Sequence, residues 1–157
     1  MRKLFFLLAA FLLFSCVQAR AEGPGGTLDL GLGVQGGDPA SVLDLRFFTD
    51  SPFKGDRIRD GGVFFSAELG FFTSFDENTT VGFLGAGHRF CPEGVPVCAS
   101  YALGVTRDLD HGGTKPGLRL GISYPILGGE RNFEVRADTF LYGGGKPFWT
   151  VSFGVSF

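Results

Sequence analysis

Few residues in this chain are of a type that does chemistry, and most of them have a simple reading. Cys91 and Cys98 flank Pro-Glu-Gly-Val-Pro-Val. Two thiols that close at a turn form a disulfide in an oxidising compartment, and neither a His nor a third Cys is spaced to favour a metal instead. His88 stands in Gly87-His88-Arg89-Phe90. A hydrolytic His needs a nucleophile and an orienting acid within reach, and no Ser follows two residues on, so His88 reads as a plain luminal histidine. Asp108, Asp110 and His111 carry cation-ligand atoms but read as a solvated polar loop. Gly31-Leu32-Gly33-Val34-Gln35-Gly36 matches G-x-G-x-x-G. A dinucleotide site would need a helix next. Asp38-Pro39 and another alternating stretch follow, which excludes it. Asn78-Thr79-Thr80 is a glycosylation sequon only in form. No catalytic, cofactor-binding or metal-binding residue is assigned, and no cofactor is expected.

The elements around these residues are strands. From Phe157 backwards, Val155, Phe153, Val151 and Trp149 form one apolar face, while Ser156, Gly154, Ser152 and Thr150 form a small or polar one. Strict alternation over this length marks a strand with a different environment on each side. Seven earlier stretches share the pattern: Gly26–Gln35, Ala40–Thr49, Gly62–Thr73, Thr79–Phe90, Val97–Arg107, Gly117–Pro125 and Asn132–Tyr142. The stretch from Thr79 is the least clean, because Phe83-Leu84 interrupts the alternation and Gly82, Gly85 and Gly87 permit a bulge there. Turn residues separate the stretches, and the longest connection is Asp50–Gly61. Eight strands with short links predict an antiparallel up-and-down barrel. The chain has 157 residues, 26 of them Gly and 19 Phe. That length allows one domain, and eight crossings of about 9–11 residues fit within it.

Arg2 and Lys3 precede an apolar run from Leu4 to Phe14, and Ala19-Arg20-Ala21 offers a small-residue cleavage site. Residues 1–21 therefore read as a signal peptide and 22–157 as the barrel. Leu13-Phe14-Ser15-Cys16 also resembles a lipobox, with Phe14 bulky for its slot, so lipidation at Cys16 stands as the alternative. The formal charge is −2, and losing Arg2, Lys3 and Arg20 leaves the mature chain near −5. An acidic exported chain without a basic run argues against nucleic acid.

The polar faces decide which side of the wall meets which environment. They carry Asp29, Asp44, Arg46, Glu68, Arg119, Glu134, Arg136 and Asp138, interleaved with Gly and Ser. An eight-stranded lumen is only wide enough for side chains to fill it, and the Leu, Val, Phe and Tyr of the apolar faces are too many to fit inside. With the large residues outside, the charges form a luminal polar network of five acids and three arginines, incompletely paired and therefore wet. Arg on the lipid side would cost about 2–4 kcal/mol at the midplane. Phe47, Phe71, Tyr101, Tyr124, Phe133, Tyr142, Trp149 and Phe157 are candidates for interfacial aromatic girdles.

Strand count, alternation and the terminal Phe resemble the small outer-membrane barrels of the OmpA/OmpX type over essentially the whole mature chain. The resemblance implies a monomeric transmembrane β-barrel in the bacterial outer membrane, facing outer-membrane lipid. It implies that Phe157, Val155, Phe153 and Trp149 form the signal read by the barrel-assembly machinery. Two features depart from the pattern: the long Asp50–Gly61 connection falls on the periplasmic side, and the opposite loops are modest. The function that follows is non-enzymatic, structural or surface-interacting, with a lumen that does not conduct freely. The alternatives are an outer-membrane lipid-modifying hydrolase, or a soluble periplasmic barrel binding an apolar ligand.

Overall fold

The computed structural model describes residues 25–49, 53–54, 57–58, 62–75, 79–128 and 131–157. The stretch expected to be a signal peptide, the lipobox-like sequence at Cys16, most of the Asp50–Gly61 connection and Asn78 lie outside the described residues. Among the described residues there are ten strands: β1 Gly25–Gln35, β2 Asp38–Phe48, β3 Phe53–Lys54, β4 Arg57–Ile58, β5 Gly62–Ser74, β6 Thr79–Cys91, β7 Cys98–Asp108, β8 Thr114–Gly128, β9 Arg131–Tyr142 and β10 Phe148–Ser156. Eight of them close into one barrel in the order β1-β10-β9-β8-β7-β6-β5-β2, every pair antiparallel. The short β3 and β4 pair with each other inside the long connection. That connection joins β2 to β5 at the barrel end where β1 begins and β10 finishes.

Closure runs between the first and last strands, with Thr27 opposite Ser156 and Gln35 opposite Phe148. Phe157 extends this seam through backbone hydrogen bonds with Gly26, 2.8 and 2.9 Å long. Closure gives every barrel strand two hydrogen-bonded neighbours, so the sheet has no edge strand left to pair elsewhere. The β1–β2 hairpin turns on Gly36 and Gly37, with φ of 60° and 104°. Two positive φ angles in a two-residue loop match the right-handed twist of the flanking strands, and glycine adopts them without strain.

The fourth barrel strand corrects the bulge expected there. β6 pairs residue for residue with β5 from Thr79 to Cys91 and with β7 from Val81 to Phe90. The alternation never breaks: Val81, Phe83, Gly87, Arg89 and Cys91 are buried, while Leu84 and Phe90 are exposed. Phe83 only seemed out of phase because it is a large apolar residue on the inner side.

The lumen is stacked in layers. Along β2, Val42, Asp44, Arg46 and Phe48 are buried in turn, and along β5 Phe64, Ser66, Glu68 and Phe72 are buried likewise. At the end opposite the termini, Val42, Phe72, Val81, Phe83, Phe140 and Phe148 form an apolar cluster, with Phe72 and Phe140 stacked at 4.2 Å between centroids. At the termini end, Phe48, Phe64, Cys91 and Cys98 form a second. The charged residues lie between. The sequence reading of small and charged residues inside therefore lacked six phenylalanines, which seal the charged layer at both ends.

The outer wall is apolar, with Leu32 69%, Leu84 61%, Leu103 60% and Val151 59% exposed. Leu28 and Val155, paired with each other near the termini, are buried. Tyr142 leaves the proposed aromatic girdle: it packs on the inner apolar cluster and accepts a 2.8 Å hydrogen bond from Gln35 Nε2.

The β6–β7 wall requires glycine at two inner positions. A Cβ on Gly87 would run into the Tyr101 carbonyl, and one on Gly104 into the Leu84 carbonyl, both rigid backbone. Gly87→Val is expected to lower stability by at least the ~1–3 kcal/mol typical of overpacking. Gly82→Val, where a Cβ meets nothing nearer than 3.8 Å, serves as the tolerated control. Urea titration of the detergent-folded barrel reads both; equal stability would contradict the close approach.

Candidate functional site

Between its apolar ends the barrel holds a dense charge cluster. Strict alternation delivers it: Asp29 from β1, Asp44 and Arg46 from β2, Glu68 from β5, Arg89 from β6, Arg119 from β8, and Glu134, Arg136 and Asp138 from β9 all occupy inner positions and are at most 4% exposed. The luminal network read from the sequence is thus brought into one layer, and Arg89 joins it as a fourth arginine beside five acids.

Some contacts join adjacent strands and others cross the lumen. Arg46 donates to Asp29 Oδ2 from Nη2 at 2.6 Å and from Nε at 3.0 Å, and its Nη2 also meets Glu134 Oε1. Glu134 accepts a second cation through Arg89 Nη1, 2.6 Å from Oε2. Arg119 places Nη2 2.9 Å from Asp138 and Nη1 2.5 Å from Asp44 and 3.4 Å from Glu68. Arg136 Nε donates to Asp138 Oδ1 at 2.6 Å and its Nη2 to Ser100 Oγ at 3.2 Å. Every acid of the layer therefore touches an arginine. The guanidinium carbons of Arg46 and Arg89 each lie 5.8 Å from the Phe48 ring centroid, and that of Arg119 lies 5.4 Å from the Phe72 centroid. Arginine suits this role because its planar, weakly hydrated head can pair with carboxylates and stack on aromatic faces at once. Arg89 Nε and Nη2 and the hydroxyls of Ser66, Thr150 and Ser152 have no hydrogen-bond partner among the described residues. Such groups are the kind that buried water satisfies.

The remaining candidates separate from this layer. His88 is corrected from a luminal to an outward residue. It sits on the outer wall with Nδ1 2.8 Å from Tyr101 Oη, and Phe65 meets its ring edge-on at 5.7 Å. Its phase is set by Cys91, three residues on and turned inward. At the opposite rim, Asp108 Oδ1 accepts the backbone N–H groups of Asp110 and His111 at 2.9 and 2.8 Å. The His111 N–H is the main reason the Asp108 carboxyl is held below its ordinary value. Asp110 in turn accepts the Thr80 N–H at 2.7 Å. These acids brace a turn. Among the described residues no His, Cys, Asp and Glu cluster has the arrangement of a metal site. Cys91 and Cys98 are joined as a disulfide at the termini-side end of the β6–β7 hairpin. Gly31–Gly36 is strand and hairpin turn, followed by β2.

Removing one partner of a buried ion pair strands the other, at about 3–5 kcal/mol. Glu134→Gln should cost that much, because Arg46 and Arg89 both lose their shared carboxylate; urea unfolding in micelles measures it, and a loss below ~1 kcal/mol would mean the layer is hydrated like a surface. The double variant Cys91→Ser/Cys98→Ser should lose about 2–3 kcal/mol in the same assay by freeing a short loop in the unfolded chain. No difference from the oxidised protein would show that the strand ladder alone fixes this hairpin.

No protein-family model matches the chain. No curated protein matches it either. Solved structures do. The outer membrane enzyme PagL is 13% identical with a TM-score of 0.56, covering 83% of this chain and 97% of its own. Neisserial surface protein A is 13% identical with a TM-score of 0.53, covering 88% and 98%. The N-terminal β-barrel domain of Pseudomonas aeruginosa OprF is 16% identical with a TM-score of 0.50, again covering 88% and 98%. At these identities the likeness is one of fold, and the chain is an eight-stranded closed β-barrel resembling known bacterial outer-membrane barrels.

Proposed function

We propose that this chain is an outer-membrane barrel with a sealed lumen, acting through its outer wall and rims, without catalysis and without passing solutes. The observation that carries the reading is the inversion of the wall. Arg119 and Glu134 are fully buried on the inside, while Leu32, Val105, Ile122 and Val151 are more than half exposed on the outside. A soluble protein rarely exposes a contiguous apolar surface of this extent. A closed barrel is also one of the two architectures that can satisfy all backbone polar groups in hydrocarbon. The sealing follows from the layers: an ion would have to pass two phenylalanine clusters and break a paired charge network between them. The expected partners are outer-membrane lipid and, during biogenesis, the assembly machinery engaging Phe157, Val155, Phe153 and Trp149. The barrel is expected to act as a monomer and not to bind nucleic acid.

A second reading, a lipid-modifying hydrolase working on the outer wall, is supported by the likeness to the outer membrane enzyme PagL and by the His88–Tyr101 pair facing outward. Against it, Phe90 stands where a serine two residues along the same face would be.

Three measurements on one preparation divide the readings. The mature chain should stay with outer membranes after high-salt and carbonate washing, and the purified barrel should give no stepwise conductance in planar bilayers. Expression should leave the acylation of outer-membrane lipid unchanged, in wild type and His88→Ala alike. Release by carbonate would end the membrane assignment, and discrete conductance steps would end the sealed lumen. A lipid change abolished by His88→Ala would establish the hydrolase.

A further inference from the structure

The outer wall is not uniform. Along most of it, large side chains stand shoulder to shoulder, but β9 offers Ala137 and Thr139 at successive outward positions. Their neighbours across the ladder are large: Leu120 and Ile122 on β8, Trp149 and Val151 on β10. The result is an open groove of about 530 Å³ with these residues among its lining.

Resting on the membrane reading above, the geometry points to this groove as a seat for one acyl chain of an outer-leaflet membrane lipid. The outward side chains that line it are apolar apart from Thr139; Ser100, Asp138 and Thr150 also border it, but from inner positions of their strands, with Asp138 and Thr150 buried, so the outward surface favours an apolar ligand. Its floor on β9 lies between ridges on β8 and β10 about 9–10 Å apart, given a ~4.8 Å strand spacing, and beyond Trp149 and Val151 the lining continues to Leu32 and Val34 on β1. A hydrocarbon chain can lie in such a trough. A second barrel cannot reach its floor, because it presents the same convex, ridged wall and would touch only the ridge tops. The groove is also continuous with the apolar wall that lipid covers. Its Trp149 is one residue inside the start of β10, at the end away from the termini. Tryptophan settles at the membrane–water interface. A chain entering beside Trp149 therefore belongs to a lipid whose headgroup lies at that rim, and its methylenes run along β9 past Ala137.

Trp149 is the chain's single tryptophan, so it reports on the groove without interference. The experiment uses the full barrel in liposomes of phosphatidylcholine mixed with increasing fractions of the acyl-chain-brominated lipid, with Trp149 fluorescence read at each fraction. Dispersion contacts are small singly but add along a chain, so a seated chain should be favoured about two- to fourfold over bulk lipid, and quenching should rise more steeply than random contact allows. Filling the trough with Ala137→Leu/Thr139→Leu should return the curve to the random one. These positions face outward, so the barrel should still float with the liposomes. Identical curves for a floating wild type and a floating double variant would overturn the groove while leaving the membrane reading intact. Failure of both proteins to float would sink the membrane reading itself. Weak quenching of the wild type together with crosslinked dimers of a Trp149→Cys variant would hand the groove to a second copy and overturn the proposal.

Discussion

Eight strands enclose so narrow a lumen that an inward side chain meets those from the opposite wall. Charges placed there cannot avoid one another, and this constraint shapes the rest of the molecule. Arg46 of β2 reaches Asp29 on β1 and Glu134 on β9. Glu134 also receives Arg89 from β6. Arg119 of β8 meets Asp44 on β2 and Glu68 on β5. The backbone ladder fixes only neighbouring strands. The pairs Arg46–Glu134, Arg89–Glu134, Arg119–Asp44 and Arg119–Glu68 tie strands that are not neighbours, so they set the cross-section that the ladder leaves free. A one-residue slip of any of the six strands that carry these charges would turn its charged residues to the apolar outer wall and strand their partners inside. The network therefore also opposes wrong registers.

The two phenylalanine clusters make that network stronger and less forgiving. By closing the layer off from bulk water they lower its effective dielectric, which strengthens a satisfied pair and raises the cost of an unsatisfied one. The rings join the layer itself as well: Phe48 lies beneath Arg46 and Arg89, and Phe72 beside Arg119. The Cys91–Cys98 bond belongs to the cluster at the termini end, where it fixes the hairpin that carries Arg89. Seal and charge layer thus depend on each other.

Much of this was legible because a strand has only two faces. Once Asp44 and Arg46 were assigned inward, Leu43 and Leu45 had to point the other way, and the same logic held around the barrel. It failed where glycine diluted the pattern. In β6, Gly82, Gly85 and Gly87 gave no phase, Phe83 mimicked an outward residue, and His88 and Arg89 were assigned to the wrong faces or to none. The signal was three residues along: Cys91 must face Cys98 inside the hairpin, which places Arg89 inward and His88 outward. The luminal phenylalanines were legible by the same count, since Phe48 is two residues from Arg46 and Phe64 two from Ser66. By residue type alone a phenylalanine reads as lipid-facing, and only its phase relative to a charged neighbour places it inside. Tyr142 was taken for a girdle residue from its position at a strand end, although its phase matches that of Asp138 and Phe140.

What the barrel does was less legible than how it closes, for a physical reason. The inner face is constrained by packing, pairing and sealing, and each constraint leaves a mark on residue type. On the membrane reading the outer face meets a fluid solvent that accepts almost any apolar side chain, so alternation does not separate a wall position that merely faces lipid from one that grips it. Ala137 and Thr139 satisfy the pattern as well as Leu would. Only the side-by-side placement of β8, β9 and β10 shows that they form a trough. Likewise, His88 becomes unusual only when Tyr101 and Phe65 are seen beside it on the outer wall. Among the described residues, the two features that the packed lumen does not account for, His88 beside Tyr101 and the trough along β9, both lie on that outer wall.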